Sequence, residues 1–113
     1  MDARYVQRGD AVDYTPMADV AAGDVVALGT KFFGVAKLDI KAGELGALAL
    51  TGVYEVAKAP GAAFAAGAEI GWDASAKKAV AAGAADSIKL GHAVSAADAG
   101  DSLVYVRLCQ GLN

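Results

Sequence analysis

"VAAGDVVALG", residues 20–29, is one of four versions of a single phrase in this chain. It returns as "IKAGELGALAL" at 40–50, as "FAAGAEIGW" at 64–72 and as "AADAGDSLVYVRL" at 96–108. Each version runs through small residues and a glycine to an acid, then into an apolar or alternating stretch. The glycine adopts positive φ without a Cβ clash, and the acid favours a solvated loop edge. The phrase therefore reads as a turn that launches a strand. Its glycines, Gly23, Gly43, Gly67 and Gly100, are 20, 24 and 33 residues apart, too uneven for a solenoid. The repetition is architecture rather than chemistry.

Working outward from the phrase gives an all-β chain. In "SLVYVRL", Val104, Val106 and Leu108 share one face, and Leu103, Tyr105 and Arg107 share the other. "AVDYT" at 11–15 and "KFFGVA" at 31–36 read as short strands. "ALALTGVYEVAK" at 47–58 reads as one longer strand bent or bulged at Gly52. "SIKLGHAVS" at 87–95 repeats that design around Gly91, and "EIGWDASAKKAV" at 69–80 reads as a hairpin turning within 73–77. "AVAAGAAD" at 79–86 and "SAADAGD" at 95–101 read as low-complexity loops. One short helix is expected near 61–66, after Pro60 and stopped by Gly67. Short strands at this density describe a small β-barrel or a β-sandwich, with the choice left open.

The 113 residues fit a single β-rich domain, 1–113, with 1–16 set apart as a polar N-terminal arm. Of the 56% hydrophobic content, alanine supplies 28 residues, and only 34 positions carry a large apolar side chain. A core this thin would gain from burial against sister subunits. A net charge of −3 argues against nucleic acid as a partner. The single cysteine, Cys109, rules out an internal disulfide. "MDARYVQRGD" lacks the apolar core of a signal peptide, and "LGALALTGVY" is about half a bilayer span, so no membrane partner is expected.

No chemistry announces itself. Arg8-Gly9-Asp10 spells an adhesion tripeptide, but a turn between two short strands explains it. His92 is the only histidine, and neither a nucleophile elbow nor a base for Cys109 accompanies it. Metal-binding pairs of Cys-x-x-Cys or His-x-x-x-His type are absent, and "DAGD" at 98–101 lacks the other ligands of a calcium loop. Gly29 and Gly34 have phosphate-loop spacing, yet Val35 and Ala36 follow where Lys and Ser/Thr are required. The carboxylates are scattered, with nothing to select an acid/base pair. Trp72 with Tyr54 and Tyr105 would suit a small glycan-binding module, although core packing is the commoner use of such aromatics. The reading is of a non-enzyme that needs no cofactor.

Taken in order, "YVQRGDAVDYT", "VAAGDVVALG", "FFGVAKLDIKAGE", "ALTGVYEVAKAPGAAFAAGAEIGWD" and "KLGHAVSAADAGDSLVYVRL" resemble the small capsid cement, or head decoration, proteins of tailed phages and prophages. The similarity runs from Tyr5 to Leu108. It implies a β-rich virion structural protein that binds the outside of the assembled head, with the major capsid protein as partner. It further implies a homo-oligomer, a trimer or alternatively a dimer, that sits on the capsid exterior after synthesis in the host cytoplasm. Tyr5, Gln7, Arg8 and Tyr14 are the candidate partner-binding residues, because aromatic residues and arginine are favoured at interfaces. The competing expectation is that Tyr5–Gln7 and 11–15 simply pair as strands within the sheet.

Overall fold

The computed structural model describes residues 2–29, 32–84 and 87–109. Met1 of the expected arm, Lys31 of the expected strand at 31–36 and the last two residues of the 79–86 loop lie outside that range. Among the described residues there are nine strands: β1 (Ala11–Tyr14), β2 (Val25–Ala27), β3 (Phe33–Ala36), β4 (Gly46–Ala49), β5 (Val53–Ala57), β6 (Glu69–Asp73), β7 (Lys78–Ala81), β8 (Ser87–Ala93) and β9 (Leu103–Leu108). They form two antiparallel sheets, ordered β1-β4-β3-β2 and β5-β9-β8-β6-β7. Neither closes into a barrel, so the arrangement is sandwich-like. The second sheet curls until Lys58 meets Ala79 in one isolated bridge, and there the approach stops.

Two sequence expectations are corrected. The segment 47–58 is not one bent strand: Ala49 ends β4 in the first sheet, and Val53 begins β5 in the second. Gly52, at φ 119°, carries the chain across the corner between them. No helix forms at 61–66 either. Pro60 and Gly61 occupy the centre of a turn in which Ala62 N–H donates to the Ala59 carbonyl at 3.2 Å, with Gly61 at φ 79°. The chain then extends, and Phe64 bridges Ala97 through two backbone bonds of 2.9 Å. Pro-Gly set this turn more strongly than a weakly amphipathic alanine run could set a helix.

The four phrases pair two by two. Val20 and Ile40 exchange backbone hydrogen bonds of 2.8 Å, as Phe64 and Ala97 do at 2.9 Å. Gly23 N–H donates to the Ala36 carbonyl and Ala36 N–H to the Asp24 carbonyl, at 2.6 and 3.0 Å. Their counterparts are Gly67 to Ala93 and Ala93 to Ala68, at 2.8 and 2.9 Å. Leu50 to Asp10 is likewise matched by Leu108 to Gly52. Strand order agrees as well: β1-β4-β3-β2 matches β5-β9-β8-β6, with β7 added at the edge. The fold is thus a duplicated unit, residues 10–50 and 52–108. The second unit's 33-residue glycine spacing exceeds the first unit's 20 by the 13 residues, 74–86, of the excursion through β7.

Each unit sets apolar residues at the same positions on its front face. Ala36, Ile40 and Leu48, with Val12, Tyr14, Val20, Val26 and Leu28 around them, form the first unit's cluster. Their counterparts Ala93, Ala97, Val106, Tyr54, Val56, Phe64, Ile70 and Trp72 all belong to the larger second cluster. That cluster is completed by the back of the first sheet, where Phe33 and Val35 pack with Val25 beside them. The sheets therefore stack back to front, the first sheet's back covering the second sheet's front.

Candidate functional site

Residues 2–8 form no strand and are exposed throughout. Tyr5 and Val6 are 78% and 80% accessible, a large apolar exposure for consecutive residues. Gln7 Nε2 donates to the Ala11 carbonyl at 3.4 Å, and Arg8 pairs with Asp10 at 2.9 Å in full solvent contact. An ion pair this exposed adds little stability, so Arg8 is free to exchange it for another partner. Tyr14 stands apart from these three. It lies in β1 opposite Gly46, half-buried against the first unit's front cluster. Ala11–Tyr14 does pair within the sheet, whereas Tyr5–Gln7 does not.

A second surface was not singled out from the sequence. On the back of the second sheet, Val53, Leu103 and Tyr105 project from β5 and β9, and Val94 follows β8 beside Tyr105. All four are between 44% and 56% exposed. Charged neighbours on the same face are Glu55, opposite Tyr105, and Arg107, opposite Val53 and His92. The Glu55 carboxylate accepts a hydrogen bond from the Tyr105 hydroxyl and repels a phenolate there, holding that hydroxyl above tyrosine's ordinary 10.0. The signal was present in "SLVYVRL": the strand is apolar at Leu103 and Tyr105 on the face opposite its core positions.

Two grooves flank the sheets. One, of 470 Å³, has an alanine floor of Ala11, Ala47 and Ala49 beneath the exposed Leu38 and Leu45. The other, also of 470 Å³, follows the seam between β2 and the second sheet, past Val56 and Trp72. Charged side chains line both as well: Asp10, Lys37, Asp39 and Glu44 in the first, and Asp24, Glu55 and Lys77 in the second.

The chemical alternatives lose their geometry. Trp72 is buried, Tyr54 faces the second core, and Tyr105 points out of the opposite face, so these aromatics form no shared platform. His92 sits beside Arg107 on the sheet's back. Cys109 is half-buried, its backbone N–H donating to the Leu90 carbonyl. Asp98 and Asp101 close their own turn, with Asp98 N–H donating to Asp101 Oδ2 at 2.8 Å. Among the described residues, no three His, Cys, Asp or Glu side chains converge as a metal site would require.

A family model described as phage cement protein matches residues 6–108. No curated protein and no solved structure matches the chain.

Proposed function

The chain belongs to the phage cement protein family, a class of phage structural proteins associated with the capsid, and from that premise we propose that it binds the outer surface of the assembled head and stabilises the lattice of the major capsid protein. The carrying observation is the extent of the match, which takes in all nine strands rather than one motif. The proposed working form is a homotrimer on the capsid exterior, made in the host cytoplasm and recruited after assembly. A symmetric oligomer on a lattice axis bridges several capsid subunits through one repeated contact, and multivalency turns modest contacts into firm attachment.

Tyr5, Gln7 and Arg8 are the proposed shell contacts. In support, they lie on an exposed segment, free of the sheets, that carries an aromatic ring and a loosely held guanidinium. Ordering such a segment on binding costs entropy, and burial of Tyr5 and Val6 would offset it. Removing Asp2–Arg8 tests the assignment. The shortened protein keeps its fold and oligomeric state and loses co-sedimentation with heads; retained binding rejects these residues as the contact.

A further inference from the structure

The duplication leaves one place beside the first sheet unfilled. In the second unit the outer edge of β6 is covered by β7, which pairs with it from Ile70 opposite Ala81 to Asp73 opposite Lys78. β2 is the counterpart of β6, with Val26 and Leu28 at the positions of Ile70 and Trp72, yet β2 ends its sheet. Its backbone is turned accordingly. Ala36 N–H donates to the Asp24 carbonyl and Leu28 N–H to the Phe32 carbonyl, so alternation commits Val26 to β3 as well. The N–H and C=O groups of Val25 and Ala27 therefore face outward, and among the described residues nothing pairs with them. Ala27 stands where the second unit has Gly71, and Gly71 lies opposite Val80 of β7.

The other strand edges are partly engaged. Gln7 Nε2 donates to the outward Ala11 carbonyl on β1. β5 meets β7 where Ala59 N–H donates to the Ala79 carbonyl, and the Ala81 carbonyl at the end of β7 accepts the Ala84 N–H. β2 carries neither proline nor charge over Val25–Ala27, the residues that usually guard an edge. Alongside it runs the second 470 Å³ groove, bounded across the gap by Val56 and Ala57 of β5 and by Trp72 and Ala74. Its charged lining, Asp24, Glu55 and Lys77, has both signs, so the groove offers chiefly an unpaired backbone beside an apolar wall.

We infer that the edge of β2 receives an extended polypeptide segment, added antiparallel as β7 is added to β6, with alternate side chains against Val56 and Trp72. The chain's own arm does not supply it, because residues 2–8 are exposed and lead into β1, at the opposite edge of the sheet. The segment belongs to the major capsid protein. That source rests on the proposed function and gives the shell a second attachment point besides Tyr5, Gln7 and Arg8.

Proline at this edge separates the slot from the fold. Ala27 is exposed and its N–H faces outward, so Ala27→Pro keeps the pairing with β3 while removing the donor and obstructing an added strand. Ala27→Ser keeps the donor. In co-sedimentation with expanded heads, the native protein and Ala27→Ser bind alike. Ala27→Pro, with an unchanged circular dichroism spectrum, binds roughly tenfold more weakly or not at all. If Ala27→Pro unfolds, hydrogen exchange of the native protein decides: the amides of Val25 and Ala27 exchange freely in the isolated protein and become protected on heads. Equal binding by a folded Ala27→Pro, or amides that stay unprotected on heads, overturns the slot while the capsid reading stands. Protection already present in the isolated protein at high concentration assigns the slot to a second copy and overturns the shell as its source. A native protein that binds no heads overturns the capsid reading, and this occupant with it.

Discussion

Asp19 and Asp39 each hold the other's turn in place. Asp19 Oδ1 accepts the Ala42 N–H and Asp39 Oδ1 accepts the Ala22 N–H, both at 2.8 Å. The two carboxylates stand one residue before Val20 and Ile40, whose backbones pair directly. The second unit keeps the backbone pairing at Phe64 and Ala97 but has Ala63 and Ala96 where the first has aspartates. Asp19→Ala and Asp39→Ala should each lower stability by about 1 kcal/mol, the usual effect of losing a side-chain cap on backbone donors. The double variant should lose less than the sum, because both changes loosen one pair of turns. Urea denaturation of the four proteins measures this.

Gly91 sits where a side chain has no room. An added Cβ would stand 2.0 Å from the Arg107 carbonyl oxygen and 2.9 Å from its carbon, so only a backbone shift could relieve the clash. Its counterpart Gly34 would meet the Leu48 side chain at 2.6 Å. Gly91→Ala should cost roughly 3 kcal/mol and Gly34→Ala less, since the closest contact at Gly34 is longer, although Leu48 Cβ is itself fixed to its strand's backbone. Thermal unfolding of the two variants gives the order.

Lys58 is 2% exposed, and its ammonium is surrounded by the backbone carbonyls of Ala59, Ala62 and Ala99. It ties the end of β5 to the Pro60 turn and to the loop before β9. Lys58→Met keeps the aliphatic volume but removes the donor, leaving those carbonyls without it. A loss of about 2 kcal/mol is expected, in line with a hydrogen-bonded charge. A stability equal to the native protein's in urea would show that the carbonyls find other donors.

Tyr105 links the exposed back face to pH. Because its hydroxyl is held above 10.0 by Glu55, the folded state favours the protonated ring. The stabilisation that accompanies this is present below tyrosine's unfolded value and disappears as pH rises through the higher folded one. Glu55→Gln should bring one of the four tyrosines down toward ordinary titration. Alkaline absorbance titration of both proteins checks this, and identical curves would refute the coupling.

Much of this fold was legible because glycine and period-2 patterning act locally. The inward triad Val104, Val106, Leu108 and the hairpin at 73–77 follow from residues within a few positions of one another. The corner at Gly52 was not legible: a strand that bends and two strands in different sheets share one apolar pattern, and only long-range pairing separates them. The duplication was half visible. Four glycine-acid phrases stood out, but the β7 excursion broke their spacing and hid the pairing of first with second and third with fourth. The back-face patch escaped for a related reason. Val53, Leu103 and Tyr105 come from β5 and β9 and Val94 from the end of β8, and sequence alone does not say that those strands are neighbours. Half-buried Val25 and buried Val35 correspond to Glu69 and His92 on the outer face of the second sheet.

The most direct test of the account is co-sedimentation of the purified protein with expanded phage heads that lack it, alongside unexpanded proheads. The account predicts saturable binding to expanded heads, at a fixed ratio to the major capsid protein, and none to proheads. A folded protein that binds neither shell would contradict it.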